Sequence, residues 1–163
     1  MIAKGSMRIV EIQDYLDWVI KTPYMQEGYA ANQREIDIFK SNSTNLSLCP
    51  IDLRRSSSKE LYMEKAALHN CAKMNSNSRT KAMLKQVYNP ETLHANLYEA
   101  SDLADTLSRF ISAHIIELPA AIDFINHLEQ LYANVPTIFD DLHWENIGIL
   151  NNRPVIIDYA GWK

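Results

Sequence analysis

The segment Ile138-Phe-Asp-Asp-Leu-His-Trp-Glu-Asn-Ile-Gly-Ile-Leu-Asn-Asn-Arg-Pro-Val-Ile-Ile-Asp-Tyr-Ala-Gly-Trp162 is the most chemically informative part of the chain. Asp141 precedes Asn146 by five residues, and two apolar runs then flank Asn151-Asn152, a turn signal typical of a short hairpin. The second run ends at Asp158. We therefore expect the side chains of Asp141, Asn146 and Asp158 to converge at one end of a two-stranded ribbon.

Three such oxygen donors would suit a hard divalent cation. Mg²⁺ is usually held by one or two protein groups while phosphate oxygens and water complete its shell. A phosphoryl-transfer site adds a further carboxylate that orients the attacking hydroxyl. However, Asp, Asn and His are also ordinary turn residues. One alternative is therefore a helical regulatory protein with a solvated acidic turn, in which the three side chains do not converge.

The pattern Asp141-Leu-His-x-x-Asn146, hairpin, Ile-Ile-Asp158-Tyr resembles the catalytic and metal-binding loops of kinase-like phosphotransferases, the superfamily of protein kinases and aminoglycoside or choline kinases. The resemblance implies that Asp141 is the catalytic aspartate and that Asn146 and Asp158 bind magnesium beside ATP. It also implies an α+β, protein-kinase-like two-lobed fold. Residues 1–66 would form a small antiparallel β-sheet lobe with one helix, and residues 67–163 a reduced, mainly helical lobe.

A candidate phosphate-binding lysine lies near the N-terminus. Runs of β-branched and aromatic residues at 7–12 and 15–20 predict a β-hairpin, and Lys21 ends the second run in Trp-Val-Ile-Lys. This resembles the kinase strand Val-Ala-Ile-Lys, whose lysine touches the nucleotide phosphates. The next segment, about 27–40, predicts a helix carrying Glu35, so Lys21 and Glu35 would form the ion pair that holds this lysine. The alternatives are a solvated lysine and an exposed i,i+4 contact of Glu35.

Two further segments resemble nucleotide-binding parts of the same family. Gly5-Ser6 stands just before the first expected strand, as a glycine-rich phosphate loop would, although a flexible N-terminal tail is the alternative. Residues 60–66 resemble the last strand of the small lobe running into the hinge. By that resemblance Met63 lines the back of the adenine pocket and Glu64 to Ala66 form the hinge. The alternative is an amphipathic strand followed by a helix.

The remaining elements are predicted from hydrophobic periodicity and from the positions of proline and helix-capping residues. Residues 46–53 predict a short strand interrupted by Pro50, and residues 72–90 are polar and are expected to contain a loop. A helical pattern runs from Pro90 through residue 111, with a break at Ser101-Asp102. Pro119 is placed to open another helix, which ends near residue 134.

The sequence also departs from the family pattern. Phe139 and Asp140 replace the usual histidine and an arginine that senses an activation-loop phosphate, so regulation by that phosphate is not expected. His143 stands two residues after Asp141, where the aminoglycoside-kinase branch usually has histidine, so this position resembles the small-molecule kinases. The chain stops five residues after Asp158, before the expected activation segment and substrate-binding helices. In this it resembles minimal kinase-like proteins of bacterial effectors and phages.

Composition limits the other classes of function. A net charge of −4 provides no basic footprint for nucleic acid. No apolar run is long enough for a membrane span or a signal peptide, so a soluble, cytoplasmic protein is expected. Cys49 and Cys71 do not make a disulfide framework or a zinc site.

The sequence therefore predicts an ATP- and Mg-dependent phosphotransferase acting on a hydroxyl of a protein or small molecule. The competing interpretation is a catalytically weak or inactive kinase-like protein that inhibits or scaffolds a partner protein. The substrate and the oligomeric state stay open.

Overall fold

The computed structural model describes residues 1–13, 15–88 and 102–160, and for Asp141 it describes the backbone alone. Over these ranges the chain is an α+β protein with a four-stranded antiparallel sheet, a two-stranded antiparallel sheet and four α-helices. The N-terminal part supplies the larger sheet and one helix. The remaining helices and the two-stranded ribbon follow.

The four-stranded sheet has the order β1-β2-β3-β4. Its strands are β1 (Ile2–Lys4), β2 (Arg8–Ile12), β3 (Trp18–Pro23) and β4 (Leu61–Glu64). The predicted hairpin is present as β2 and β3, but β3 runs past Ile20, so Lys21 lies inside the strand. The prediction that Gly5-Ser6 precedes the first strand was wrong. Residues 2–4 form an exposed edge strand on β2, and Gly5-Ser6 lies in the connecting turn.

Helix α1 (Gln26–Ser41) confirms the helix expected over 27–40 and packs against β3. Its buried stripe consists of Gly28, Ala31, Asn32 and Glu35, which recur at helical spacing. Gly28 permits the close approach, because a Cβ there would lie 2.5 Å from the Met7 carbonyl oxygen and 2.8 Å from Pro23 Cβ. The stripe thus ends in a polar pair facing the sheet rather than in large apolar side chains.

Two segments differ from the expected chain organisation in detail. Residues 46–53 form isolated bridges at Leu48 and Ile51, on either side of Pro50, as the predicted interruption implies. The loop predicted over 72–90 contains helix α2 (Ser78–Leu84), begun by Asn77, whose side chain accepts a hydrogen bond from the Thr80 amide. Residues 75–77 lie outside helices and strands, in agreement with the expectation that this segment contains a loop, but helix α2 was not predicted. Packing against the next helix offsets the poor helix propensity of this polar segment.

Helices α3 (Leu103–Ser112) and α4 (Leu118–Asn134) supply much of the core. Helix α3 begins directly after Asp102, which caps it by accepting a hydrogen bond from the Asp105 amide at 2.7 Å. The segment before the predicted break lies outside the described residues. Pro119 lies in the first turn of α4, as predicted. The expected helical positions Leu93, Leu97 and Ala100 lie outside the described residues.

The C-terminal ribbon pairs β5 (Ile147–Leu150) with β6 (Arg153–Ile156), as the sequence predicts. Asn151 and Asn152 form its turn at φ of 51° and 59°, a left-handed conformation that asparagine tolerates. One contiguous core joins α3, α4, β4 and the ribbon. Backbone bridges from Leu48 to Ile156 and from Ala67 to Ile149 also attach the ribbon to the N-terminal part.

Candidate functional site

The structure brings Lys21 and Glu35 together. Lys21 Nζ lies 3.1 Å from Glu35 Oε1 and 3.0 Å from Oε2, so the ion pair expected from the sequence is present. The exposed fraction is 5% for Lys21 and 0% for Glu35, which rules out the solvated-lysine and exposed-glutamate alternatives. The pair bridges β3 and α1 and fixes the position of the lysine amine.

The segment leading to Asp158 is attached to this ion pair through its backbone. Lys21 Nζ donates a 2.6 Å hydrogen bond to the Ile157 carbonyl, and the Tyr159 amide donates to Glu35 Oε1 at 3.3 Å. Arg34 immediately precedes Glu35 on α1, and its Nε donates to the Ala160 carbonyl at 3.0 Å. The residues on both sides of Asp158 are thus held, and its carboxylate lies close enough to interact electrostatically with Lys21.

Arg8 is a site residue that the sequence analysis missed. Its guanidinium is buried and donates to Asp158 Oδ1 at 2.8 Å, to Glu35 Oε1 at 3.2 Å and to Asn32 Oδ1 at 3.1 Å. The signal that could have identified Arg8 is the register between β2 and β3. Val10 pairs directly with Lys21, and the two-residue period of a strand places Arg8 on the same face of the sheet as Lys21.

Asn32 is the second missed residue, and it lies three positions before Glu35 on the same helix face. It is fully buried, and its amide nitrogen donates to the carbonyls of Lys21 at 3.2 Å and Ser58 at 3.1 Å. Its oxygen accepts the Arg8 bond described above. Asn32 therefore ties the guanidinium to the sheet and to a nearby loop.

In this cluster, burial and ion pairing shift the pKa values of the two carboxyl groups in opposite directions. Burial raises the pKa of Glu35 above its ordinary value, while the charges of Arg8 and Lys21 act to lower it. Burial also acts to raise the pKa of Asp158, but Lys21 and Arg8 outweigh it and hold this pKa well below its usual range. Asp158 is therefore a carboxylate at neutral pH. Its side chain keeps 39% of its surface exposed, so it remains accessible from one side.

Asn146 and Asp158 lie at the same end of the ribbon. The Ile157 amide donates to the Asn146 carbonyl at 2.9 Å, just beyond the last ladder pair between Ile147 and Ile156. Asn146 ends a 3-10 turn (Trp144–Asn146). Asp141 ends the preceding 3-10 turn (Pro136–Asp141), and its side chain lies outside the described part of the structure, so the expected convergence of all three side chains stays a prediction.

The Tyr24 side chain holds the Gly5-Ser6 turn. The Tyr24 hydroxyl lies 2.7 Å from each of the Gly5 and Ser6 carbonyl oxygens, and the Gly5 amide donates to the Arg8 carbonyl at 2.9 Å. The turn therefore sits at the start of β2, next to the strand position that carries the buried guanidinium.

The expected hinge, Glu64 to Ala66, follows β4 in the chain and lies against the ribbon. Met63 is buried, and the amides of Lys65 and Ala67 donate at 2.8 Å to the carbonyls of Asp17 and Ile149. Ala66 also touches the ribbon closely, since a Cβ built on Gly148 would lie 2.7 Å from Ala66 Cβ. These contacts fix the backbone around Glu64 to Ala66.

The residues present fit a magnesium ion in chemical type. Asp158 supplies a partly exposed carboxylate, and Asn146, whose side chain carries an amide oxygen, pairs through its backbone with Ile157, the residue before Asp158. Within the described ranges, no group of three or more His, Cys, Asp or Glu is arranged to hold a metal. Phosphate oxygens or water would therefore complete the coordination. Arg8 already contacts Asp158 Oδ1 at 2.8 Å, so a metal ion at that oxygen would meet a competing cation.

Comparison with protein-family models, curated proteins and solved structures finds no match for this chain. Across the part of the chain that the structure describes, no helix combines the length and apolarity needed to cross a bilayer.

Proposed function

We propose that this protein is an ATP-dependent phosphotransferase of the kinase-like superfamily that transfers the γ-phosphoryl group to a hydroxyl of a protein or small molecule. The observation that carries the proposal is the joining of Lys21, Glu35 and the Asp158 segment at one point, with Lys21 Nζ 3.0 Å from Glu35 and 2.6 Å from the Ile157 carbonyl. Residues far apart in sequence thus meet in the arrangement that such transfer uses.

The proposed architecture is two-lobed, with residues 1–66 above the cleft and residues 67–163 below it. The four-stranded sheet with α1, the connection at Glu64 to Ala66, and the ribbon after α4 support this arrangement, because they follow the family's element order. ATP would lie between them, with adenine at the hinge beside Met63 and the phosphates under the Gly5-Ser6 turn. The proposed compartment is the cytoplasm.

Each residue has a proposed role. Lys21, held by Glu35, would neutralise nucleotide phosphates, and Asn146 and Asp158 would hold Mg²⁺. Bound Mg²⁺ would supply charge neutralisation at the β and γ oxygens. Asp141 would accept a hydrogen bond from the acceptor hydroxyl. Catalysis would rest mainly on positioning and electrostatics.

Phosphoryl transfer from radiolabelled ATP into cell lysate tests the proposal. We expect label in a protein band or a small molecule with the wild type, and a loss of about 10²–10⁴-fold for Asp141→Asn, since general-base groups contribute that much. Asp158→Asn should also abolish labelling. Asp123→Asn, at an exposed position of α4, is the matched control and should label as the wild type does. Labelling that survives both site substitutions would contradict the assigned roles.

The second candidate is a kinase-like binding protein without catalysis, which inhibits or scaffolds a partner. It is favoured by the Arg8 contact at 2.8 Å from Asp158, because an internal cation already neutralises the proposed metal carboxylate. Thermal unfolding with ATP separates the two. A ligand at 100 times its Kd stabilises the folded state by about 2.7 kcal/mol. Stabilisation that requires Mg²⁺ supports the enzyme, and no shift with or without Mg²⁺ supports the binding protein.

A further inference from the structure

The Arg8 guanidinium occupies one of the two carboxylate oxygens through which Asp158 could bind a metal ion. Arg8 Nη2 contacts Asp158 Oδ1 at 2.8 Å and Glu35 Oε1 at 3.2 Å, while Nη1 is held by Asn32 at 3.1 Å. A Mg²⁺ ion needs its ligand oxygen at about 2.0–2.1 Å, and it carries twice the charge of a guanidinium. Arg8 and a divalent cation therefore repel one another at this carboxylate.

The cluster already pairs its basic and acidic side chains without metal. Two cations, Arg8 and Lys21, meet two carboxylates, Glu35 and Asp158, in ion pairs of 2.8–3.2 Å. A divalent cation arriving alone would add two positive charges to a mostly buried group, where charge interactions are poorly screened. A nucleotide triphosphate arriving with the metal brings four negative charges, so the pair adds net negative charge beside the two basic side chains.

Arg8 is also close to where phosphates would lie under the proposed function. It begins β2, directly after the Gly5-Ser6 turn, and the Gly5 amide donates to its backbone carbonyl at 2.9 Å. The planar guanidinium matches phosphate oxygens with paired donors. Because Nη1 is tied to Asn32, the group can exchange the Asp158 contact for a phosphate contact while keeping one of its anchors.

We propose that Arg8 and a divalent cation compete for Asp158, and that nucleotide phosphates draw Arg8 away, so that Asp158 binds the metal only when a nucleotide is present. Arg8 is then a positioning residue in the empty site and a phosphate-binding residue in the loaded one. This inference rests on the proposed function for its nucleotide part. Its metal part concerns Arg8 and Asp158 alone.

Binding of Mn²⁺ without nucleotide tests the metal part, with free Mn²⁺ measured by electron paramagnetic resonance. We expect weak binding by the wild type and at least about tenfold tighter binding by Arg8→Gln, a gain of about 1.4 kcal/mol. The gain should vanish in the double variant Arg8→Gln, Asp158→Asn. Arg54→Gln, at an exposed position, is the matched control and should bind as the wild type does.

Arg8→Lys keeps the test usable if the glutamine variant fails to fold. A single lysine amine cannot reproduce the paired donors of the guanidinium, so this variant should bind Mn²⁺ more tightly than the wild type but less tightly than Arg8→Gln. Circular dichroism establishes that each variant is folded. If folded Arg8 variants bind Mn²⁺ no more tightly than the wild type, the competition is overturned.

The nucleotide part is tested by calorimetry with a non-hydrolysable ATP analogue in the presence of EDTA. Loss of the phosphate contact should weaken binding to Arg8→Gln by about tenfold, and an unchanged affinity would overturn this part. The two failures are distinguishable: absent phosphoryl transfer with an intact Mn²⁺ gain removes the proposed enzyme but keeps the competition. Normal phosphoryl transfer with no Mn²⁺ gain removes the competition but keeps the enzyme.

Discussion

Arg8 Nη2 lies 2.8 Å from Asp158 Oδ1, a contact between residues 150 positions apart in the chain. The same Arg8 nitrogen contacts Glu35 at 3.2 Å, and Glu35 also pairs with Lys21 at 3.0 Å, so strands β2 and β3, helix α1 and the end of the ribbon share one ionic cluster. Every buried side-chain nitrogen and oxygen in the described part of the chain has a hydrogen-bond partner. The cluster is therefore the candidate site, and it also connects the four-stranded sheet and α1 to the end of the ribbon.

Removing the central carboxylate should destabilise the protein strongly. Glu35→Gln leaves Arg8 and Lys21 buried with one negative charge fewer, and breaking a buried ion pair in this way costs about 3–5 kcal/mol. Urea unfolding followed by circular dichroism measures the loss. Glu27→Gln, at an exposed position in the first turn of α1, is the control and should cost less than about 1 kcal/mol. Equal effects of the two substitutions would show that the ion pairs add nothing to stability.

A second prediction concerns the acid dependence of stability at Asp105 on α3. Burial acts to raise the pKa of Asp105, but hydrogen bonds from Ser76 and Arg109 and the charges of Arg109 and Lys81 lower it below its ordinary value. The carboxylate lies 2.7 Å from Arg109 Nε and 3.5 Å from Lys81 Nζ. A lowered folded-state pKa stabilises the protein above the unfolded-state pKa of about 3.9, and this contribution is lost as pH falls towards the folded-state value.

Asp105→Asn should therefore lower the free energy of unfolding at pH 7 by about 1.5–3 kcal/mol, the range for hydrogen bonds to charged groups. Its disadvantage should shrink as pH falls below about 4, because the wild type then loses the same interactions. Urea unfolding between pH 7 and pH 2 measures both effects. Asp123→Asn serves as an exposed control. A deficit for Asp105→Asn that stays constant with pH would contradict the lowered pKa.

Close packing between Ala66 and Gly148 gives a third prediction. A Cβ on Gly148 would lie 2.7 Å from Ala66 Cβ and 3.0 Å from Ile157 Cγ2. Gly148→Ala should therefore cost about 1–3 kcal/mol through overpacking. Adding Ala66→Gly removes the nearer clash and should recover part of the loss in a double-mutant cycle measured by urea unfolding. Strictly additive losses would indicate that the two positions do not touch.

The Cys49 thiol should be unreactive in the folded protein. Burial raises its pKa to about 12, and its sulfur donates to the Glu64 carbonyl at 3.2 Å. Since the thiolate is the reactive form, iodoacetamide should modify Cys49 slowly at pH 8 under native conditions and rapidly in urea. Peptide mapping by mass spectrometry reads this position separately from Cys71. Equal labelling with and without urea would show that the hydrogen bond and the burial do not protect the thiol.

Local sequence signals predicted many of the elements well. Alternation and β-branching indicated the hairpin of β2 and β3, Pro119 marked the start of α4, and Asn151-Asn152 marked the ribbon turn. These features depend on neighbouring residues, so a sequence reader can see them. Strand β1 and helix α2 were missed because each is short and weak in propensity, and each is stabilised by pairing or packing with another element.

The sequence by itself determined the hairpin of β2 and β3, helix α1 and the ribbon leading to Asp158, because these depend on residue type, spacing and turn chemistry. The α+β class and the candidate pair of Lys21 with Glu35 came from the resemblance of sequence motifs to the kinase-like family. Only the tertiary structure decided that Arg8 and Asn32 join that pair and that Arg8 contacts Asp158. Such contacts depend on strand register and on how α1 packs against the sheet. The residue type alone does not distinguish a buried arginine from a solvated one. Burial and pairing become visible only when distant segments are placed side by side.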